Sequence, residues 1–285
     1  MAKRVLVTGA AGMLGRAVVA EFRKRGDEVL ALSRQDLDIT DLTAVRRVLW
    51  QACPHVVVNC AAFTDVDGAE ASRERAFLVN GLGAKNLALA CRDVDASLVH
   101  ISTDYIFDGR KGEPYKIYDT PNPLGNYGKS KLWGERAVAE VLGGSHYIVR
   151  TSWLFGFGGK NFVETMLKIG REKGAVKVVN DQRGCPTYTV DLAQAMADLV
   201  ESGRYGTYHV TNSGVTTWHE FALTIFKLAG LAVDVSPCST GEFPRPARRP
   251  PYSVLDPFPL KETIGYLLPP WEDALKRYLK ERSRP

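Results

Sequence analysis

A tyrosine and a lysine four residues apart are the first candidates for chemistry in this sequence. Tyr127 and Lys131 fall in a predicted helix over 124–141, and this spacing places both side chains on one face of the helix. A tyrosine in water has a pKa near ~10, and a neighbouring ammonium group lowers that pKa. The pair could therefore donate a proton to a carbonyl oxygen that receives a hydride. The alternative is an ordinary surface pair on a helix.

Polar residues at the end of a predicted strand could contact the same carbonyl group. The strand 97–102 runs directly into Thr103, Asp104 and Tyr105. Ligands of open α/β sheets bind beyond the carboxyl ends of the strands, so we expect a hydroxyl here to meet a substrate oxygen. A turn or a helix cap is the alternative role for Thr103.

Three glycines near the start of the chain form a candidate phosphate-binding turn. Gly9, Gly12 and Gly15 follow an apolar strand over 5–7 and open a predicted helix over 13–25. Free N–H groups, the helix dipole and the missing Cβ atoms favour a pyrophosphate at such a turn. The GxxGxxG spacing alone is a weak signal, and a glycine-rich turn of another α/β protein is the alternative.

The elements that would position these residues alternate between strand and helix. Further strands are predicted over 28–32, 55–62, 97–102 and 147–151, with helices over 41–50, 76–91 and 124–141 between them. This pattern predicts an α/β fold, a Rossmann-like doubly wound parallel sheet with a smaller C-terminal substrate-binding lobe. We expect residues 1–150 to form the NADP-binding domain. Residues 151–285 would supply mainly substrate-binding elements packed on it, and some of them would return to the sheet.

The alternation of strand and helix becomes less regular after about residue 151, and we expect mostly substrate-facing elements packed on the carboxyl edge of the sheet. Helices fit 162–171, 190–201, 217–228 and 271–280, and Thr217 with Glu220 has the form of a capping box. The segment 244–257 is rich in proline and arginine, and we expect it to be irregular.

Composition excludes several classes of function. The 285 residues include 37 basic and 32 acidic side chains, a mild surplus of +5, and no basic run carries interleaved aromatic residues. We therefore expect no nucleic-acid partner. The sequence has no long apolar stretch and no signal peptide, so we also expect no membrane partner. The five scattered cysteines predict reduced thiols in a cytoplasmic protein. The histidine spacing predicts no metal site.

The order of these motifs resembles the extended short-chain dehydrogenase/reductase superfamily. Longer blocks narrow the resemblance to the dTDP-4-dehydrorhamnose reductase family, nearly from end to end of the chain. These blocks are LDIT at 37–40, NCAAFTDV at 59–66, STDYIFDG at 102–109, RTSWLFG at 150–156, DQRGCPT at 181–187, YHVTN at 208–212, RP at 249–250 and SVLD at 253–256.

The resemblance implies an enzyme that reduces the 4-keto group of dTDP-4-dehydro-L-rhamnose to give dTDP-L-rhamnose. NADPH would be the reductant, with NADH used less well, and the enzyme would act as a monomer or a homodimer. Two alternatives stay open. One is a reductase of another nucleotide-linked 4-keto sugar, and the other is a non-catalytic NADP-binding regulatory subunit like the methionine adenosyltransferase β-subunit.

The resemblance also implies roles for individual residues. Tyr127 would be the proton donor, Lys131 would tune it and hold the nicotinamide ribose, and Thr103 would orient the keto oxygen. The cofactor would contact Gly9, Gly12, Met13, Leu14, Gly15, Asp38, Ile39, Ala61, Ala62, Phe63 and Asn80, together with Tyr127 and Lys131. The sugar nucleotide would contact Thr64, Val66, Thr103, Asp104, Tyr105, Trp153 and Arg249.

Two positions bear on metal and cofactor choice. Some members of the family hold Mg²⁺ between subunits through glutamates near the start of the first helix, where this chain has Arg16 and Ala17; we therefore predict no metal. The second predicted strand ends in Ser33 and Arg34 rather than in a carboxylate. A hydroxyl and a guanidinium at this place favour a 2′-phosphate over a 2′-hydroxyl, which predicts a preference for NADPH.

Overall fold

The structure of the protein, a computed structural model, describes residues 2–283. Its strands are β1 (Arg4–Thr8), β2 (Glu28–Leu32), β3 (Val56–Asn59), β4 (Ser97–Thr103), β5 (His146–Thr151), β6 (Leu154–Phe155), β7 (Ala175–Val179), β8 (Arg183–Gly184), β9 (Thr187–Tyr188), β10 (Gly206–His209), β11 (Thr216–Thr217) and β12 (Asp234–Cys238). Its helices are α1 (Met13–Lys24), α2 (Leu42–Ala52), α3 (Gly68–Ala71), α4 (Arg73–Phe77), α5 (Ala84–Asp93), α6 (Asn126–Leu142), α7 (Phe162–Lys173), α8 (Thr189–Ser202), α9 (Trp218–Ala229), α10 (Leu260–Ile264) and α11 (Trp271–Arg282).

A parallel sheet forms the centre of the molecule. Six strands lie in the order β10-β5-β4-β3-β1-β2, and every neighbouring pair runs parallel. The residues 5–7 and 56–58 are fully apolar and buried, as expected for strands that are covered on both faces. The predicted Rossmann-like fold is therefore confirmed.

Helices cover both faces of this sheet. On one face α1 and α8 pack against the strands through Val18, Phe22 and Met196. On the other face α2, α5 and α6 bury Leu49, Leu87 and Val138. Because α8 comes from the last third of the chain, the two parts of the sequence share one core.

A second apolar cluster builds the smaller lobe. The helices α7, α9 and α11 meet there through Leu167, Phe221, Trp271 and Tyr278, with Phe155 of β6 at the centre. Alongside them the strands β7 and β12 form a separate parallel pair.

Two predicted elements differ in the structure, and the strands β6 to β12 were not predicted. The helix predicted over 76–91 is divided into α4, a π-helical turn at Leu78–Gly83 and α5. The prediction assumed the spacing of an α-helix throughout, and a π-helix has more residues per turn, so the pattern did not reveal the change. The strand predicted over 55–62 ends at Asn59, and the chain then turns away from the sheet.

The predicted irregular segment is confirmed. The segment 244–257 contains no helix or strand and forms only isolated bridges to neighbouring chain. Within residues 2–283, no helix combines the length and the apolar character needed to cross a bilayer.

The predicted capping box at the start of α9 is present, and it supports a stability prediction. The Thr217 hydroxyl accepts from the Glu220 N–H at 3.1 Å, and the Glu220 carboxylate accepts from the Thr217 N–H at 3.0 Å. Replacing Thr217 by Ala removes the cap, so we expect a loss of about 1–2 kcal/mol in the free energy of unfolding measured in urea. Thr224→Ala, in the middle of the same helix, is the control and should change it by less than about 0.5 kcal/mol. Equal losses would contradict a capping role.

Candidate active site

The carboxyl ends of the central strands meet at one edge of the sheet, which we call the carboxyl edge. The register aligns Thr8 of β1 with Asn59 of β3, and Thr103 of β4 with Thr151 of β5. Ligands of open α/β sheets bind at this edge. The loops that follow these strands therefore define the candidate site.

The glycine turn is packed tightly against this edge. Gly9 has a φ of +62°, and a Cβ there would lie 2.7 Å from the Ala61 nitrogen. A Cβ on Gly15 would lie 2.7 Å from the Ala10 Cα. Gly12 begins α1 without a side-chain cap, so N–H groups of the first turn stay available to an anion.

The first residues of α1 face two different neighbours. Leu14 is buried in the core, so its side chain supports the turn. The Met13 sulfur accepts from the Asn161 side-chain amide at 3.7 Å. The loop that precedes α7 therefore contacts the glycine turn directly.

Asn80 joins the turn after β3 to α6. Its carbonyl oxygen accepts from the Phe63 N–H at 2.8 Å, and its amide donates to the Phe63 carbonyl at 3.0 Å. The same amide donates to the Ser130 hydroxyl on α6 at 3.0 Å. Asn80 lies in the π-helical turn, a feature that is frequent at functional sites. The segment Ala61–Phe63 is thereby held against α6.

The candidate catalytic residues come from β4 and α6. Thr103 ends β4, where its hydroxyl accepts from the Tyr105 N–H at 3.2 Å. Burial raises the pKa of Tyr127 to about 12, and a hydrogen bond with the Thr103 hydroxyl opposes that increase. Lys131 donates to the main-chain carbonyl of Ile101, and burial lowers the pKa of Lys131 to about 8.

One expectation about Tyr127 is wrong. The sequence predicted that Lys131 lowers the pKa of Tyr127, whereas the pKa is raised and Lys131 is not among the groups that shift it. The reason is that burial of the phenol dominates, while the ammonium group is directed to a carbonyl of β4. Tyr127 is consequently a neutral phenol at physiological pH.

Two further residues of the strand end lie beside Tyr127. The ring of Tyr105 packs edge-on against that of Tyr127, with a centroid distance of 6.0 Å and an interplanar angle of 81°. Asp104 is buried, and burial raises its pKa to about 7. Its Oδ1 accepts from Thr103 at 3.0 Å, whereas its Oδ2 is buried without a hydrogen bond.

Arg249 lies in the irregular segment between Arg248 and Pro250, two residues that line a small cleft. The cleft is lined by Val66, Tyr105, Tyr127 and neighbouring residues of the irregular segment. The Arg249 guanidinium binds Asp67 with both nitrogens, at 3.0 Å and 2.9 Å. The sequence analysis missed Asp67, because nothing local in the sequence marks a partner 182 residues away.

Sequence reasoning also missed Glu70, which binds the N-terminus of α6. Its two carboxylate oxygens accept from the Asn126 main-chain N–H at 2.7 Å and from the Asn126 side-chain amide at 2.9 Å. A carboxylate at a helix N-terminus is favourable. Glu70 thereby fixes the end of the helix from which Tyr127 projects.

The remaining substrate candidates lie farther out. Thr64 is exposed in the turn after Phe63. Trp153 lies between β5 and β6, has a φ of +48° and stacks on Trp218 at a centroid distance of 3.5 Å. The stacked pair links the end of β5 to α9.

The residues after β2 are arranged by local hydrogen bonds. The Ser33 hydroxyl donates to Asp36 at 2.6 Å, and Asp38 accepts from the Thr40 hydroxyl at 2.8 Å. Arg34 is exposed. The Ile39 side chain is buried in the core, so only its main chain could face a cofactor.

Among residues 2–283, no group of three or more histidine, cysteine, aspartate or glutamate side chains is arranged to hold a metal ion. All five cysteines of the chain are free.

Comparison with known proteins identifies relatives over the whole chain. The family model described as RmlD substrate binding domain matches residues 3–284. A dTDP-4-dehydrorhamnose reductase of Streptomyces griseus is 49% identical over 89% of this chain and 85% of its own length. A dTDP-4-keto-6-deoxy-D-glucose reductase of Streptomyces niveus is 45% identical over 90% and 89%. The crystal structure of dTDP-4-dehydrorhamnose reductase from Bacillus anthracis in complex with NADP superposes with a TM-score of 0.96, at 42% identity, over 99% of this chain and 100% of that one.

The close packing of the glycine turn gives a prediction for dinucleotide binding. In Gly15→Ala the new Cβ must displace Ala10 and Gly9, which moves the turn away from α1. We expect the Kd for NADPH, measured by cofactor fluorescence, to rise about tenfold or more, equivalent to about 1.4 kcal/mol. Gly144→Ala, where a Cβ meets nothing within 4 Å, is the control. A Kd within about twofold of the unmodified protein would show that the turn does not bind the cofactor.

Proposed function

This chain belongs to the dTDP-4-dehydrorhamnose reductase family, and we propose that it reduces the 4-keto group of dTDP-4-dehydro-L-rhamnose with NADPH to give dTDP-L-rhamnose. The observation that supports this most is the packing of Tyr127 against the end of β4 at the carboxyl edge, where its ring centroid lies 6.0 Å from that of Tyr105. That edge also carries the glycine turn. A proton donor and a candidate dinucleotide site therefore lie at the same edge of the sheet.

Tyr127 is proposed as the proton donor. NADPH, when bound, supplies a hydride to the carbonyl carbon, and the electron pair of the C=O bond moves to oxygen. The resulting alkoxide is far more basic than a phenolate, so it takes the Tyr127 proton even though the pKa of this phenol is raised to about 12. The product is the alcohol, and the phenolate is left to be reprotonated from solvent.

Lys131 is proposed to stabilise that phenolate and to hold the nicotinamide ribose. Lys131 lies one helical turn after Tyr127 on the same face of α6, and its buried amino group donates to the Ile101 carbonyl. A buried cation near a developing anion is more effective than the same cation in water.

Thr103 and Asp104 are proposed to orient the sugar. The Thr103 hydroxyl donates to Asp104 in the structure. A keto oxygen beside Tyr127 would accept from Tyr127, and from Thr103 once that hydroxyl turned away from Asp104. The buried Asp104 Oδ2 has no hydrogen bond within the described residues. A sugar hydroxyl that donated to it would remove the cost of leaving that oxygen unpaired.

Arg249 is proposed to bind the diphosphate. Its guanidinium presents two parallel N–H groups, the geometry that suits phosphate oxygens. In the structure these groups bind Asp67, so a diphosphate would share or replace this carboxylate.

One alternative substrate is supported by a specific finding. The Streptomyces niveus relative is named for a different dTDP-4-keto sugar at nearly the same identity.

We place the enzyme in the cytoplasm because all five thiols are free, and we propose a monomer or a homodimer. A purely regulatory subunit is less consistent with the Thr103–Tyr127 pair.

The first test combines a substrate assay with one substitution. Purified protein should oxidise NADPH in the presence of dTDP-4-dehydro-L-rhamnose, followed by absorbance, with the product identified by NMR. Tyr127→Phe keeps the ring but removes the proton, so turnover should fall about 10²–10⁴-fold while both ligands still bind. Tyr118→Phe, at an exposed tyrosine, is the control. If Tyr127→Phe kept more than about half of the turnover, Tyr127 would not be the proton donor.

The second test concerns cofactor choice. Arg34 is exposed just beyond β2, where a charged hydrogen bond to a 2′-phosphate would contribute about 1.5–3 kcal/mol. We expect the unmodified enzyme to prefer NADPH, and Arg34→Ala to reduce kcat/KM for NADPH about tenfold or more while that for NADH changes little. Arg47→Ala on α2 should change neither value. Equal kcat/KM for the two cofactors in the unmodified enzyme would refute the preference.

A further inference from the structure

Trp153 has a strained backbone conformation at the carboxyl edge. It lies just beyond β5, whose last residue Thr151 is paired with Thr103 of β4. Its φ of +48° lies in the left-handed region, which large side chains rarely adopt. Such a conformation is unfavourable, persists only where neighbouring groups hold it, and is found most often at functional sites.

Two other elements hold the Trp153 indole in place. The ring of Trp218, the first residue of α9, stacks on it with a centroid distance of 3.5 Å and an interplanar angle of 8°. Gly184 of β8 lies so close that a Cβ there would lie 2.5 Å from the Trp153 Cε2. The Trp153 carbonyl also accepts from the Thr187 N–H at 3.2 Å. Both the side chain and the main chain of Trp153 are therefore fixed.

Trp218 is anchored by contacts of its own. Its Nε1 donates to the Gln182 side-chain oxygen at 3.2 Å, and the Gln182 amide donates to the Thr240 hydroxyl at 2.9 Å. The Phe162 ring of α7 also packs against the Trp218 indole, at a centroid distance of 4.6 Å. Trp218 can therefore serve as a rigid support for Trp153.

The Trp153 side chain is only half-buried. Part of the indole is consequently accessible at the edge of the sheet where ligands of open α/β folds bind. Aromatic side chains commonly line small-molecule sites, and the C–H groups of a sugar ring pack well against them. Trp153 is therefore suited to contact the sugar.

We propose that Trp218 is a positioning residue for the sugar: stacked on Trp153, it holds that indole at the carboxyl edge in the conformation that contacts the sugar of the bound nucleotide. The inference rests on the proposed function, which supplies this ligand. A side chain that is fixed before binding loses less conformational entropy when the ligand arrives. Without the stack, Trp153 would leave its strained conformation and would have to be ordered again at each binding event.

Two ligands that differ in the sugar isolate this contribution. The Kd values of dTDP-L-rhamnose and of dTDP are measured by calorimetry with NADP⁺ present, and the ratio of the dTDP value to the dTDP-L-rhamnose value reports the contribution of the sugar. In Trp218→Leu we expect the Kd of dTDP-L-rhamnose to rise about fivefold, while that of dTDP changes by less than about twofold. If both values rose equally, Trp218 would have a structural role only, and the inference would be overturned.

Further variants test whether Trp218 acts through Trp153. Trp218→Phe keeps an aromatic ring against the indole and should restore most of the ratio. Trp153→Ala should lower the ratio, and combining it with Trp218→Leu should lower it no further, because a residue that acts only through another has no effect once that residue is gone. An additive loss in the double variant would overturn the inference. Trp50→Phe, at a tryptophan of α2 that is 75% exposed, is the control and should leave the ratio unchanged.

The stack itself can be observed without any ligand. Two indoles at this distance couple excitonically and give a pair of circular dichroism bands of opposite sign in the far ultraviolet. Trp218→Leu and Trp153→Ala should remove the same pair of bands, whereas Trp50→Phe should keep it. Bands that persisted in Trp218→Leu would contradict the stack and the inference with it.

A variant on another element covers the case in which Trp218→Leu does not fold. In Gly184→Ala the new Cβ would have to displace the Trp153 ring, so the Kd ratio should fall here as well. An unchanged ratio would show that the position of the indole does not matter, which would overturn the inference. If the unmodified protein reduced no 4-keto sugar, the proposed function would fail, whereas the circular dichroism bands would still decide whether Trp218 holds Trp153.

Discussion

The placement of the first turns of α6 beside the carboxyl edge is the constraint on which the candidate site depends. Tyr127 and Lys131 both project from this helix, so any shift of the helix moves donor and cation together. Contacts from separate parts of the chain hold it: Glu70 binds its first residue, Asn80 binds its middle through Ser130, and Arg150 binds it through Glu135. The rate of such a reaction falls steeply when the reacting groups are misplaced by about 1 Å, so the helix needs this support.

The contacts that hold α6 are polar and mostly buried, and this matters for energetics. A buried polar group that is not hydrogen-bonded costs about 1–3 kcal/mol, so each contact is favourable only when both partners are in place. The pair of Asn80 with the Phe63 main chain meets this condition with two hydrogen bonds. Asp104 does not, because its Oδ2 is unpaired. Burial raises the pKa of this carboxyl to about 7, and the hydrogen bonds it does receive only partly oppose that increase.

The features that could be predicted from the sequence are the local ones. The glycine turn, the α6 pair and Thr103 each depend on residues within one strand–helix unit, and periodicity locates such units reliably. The partners Asp67, Glu70 and Arg150 could not be predicted, because each acts on a residue that lies far along the chain or on another element. The pKa of Tyr127 was predicted in the wrong direction because spacing carries no information about burial. The roles of the individual site residues stay predictions.

The strand β10 limits how this protein can be divided. It pairs with β5 from Tyr147 to Arg150 and comes from the last third of the chain. A fragment that ended after β5 would expose a row of unpaired N–H and C=O groups along a hydrophobic strand, which is a template for aggregation. It would also lose α8 from one face of the sheet. The last third of the chain is therefore not an exchangeable module, and a chimaera that joined the first 150 residues to an unrelated lobe would have to bring its own strand to close the sheet.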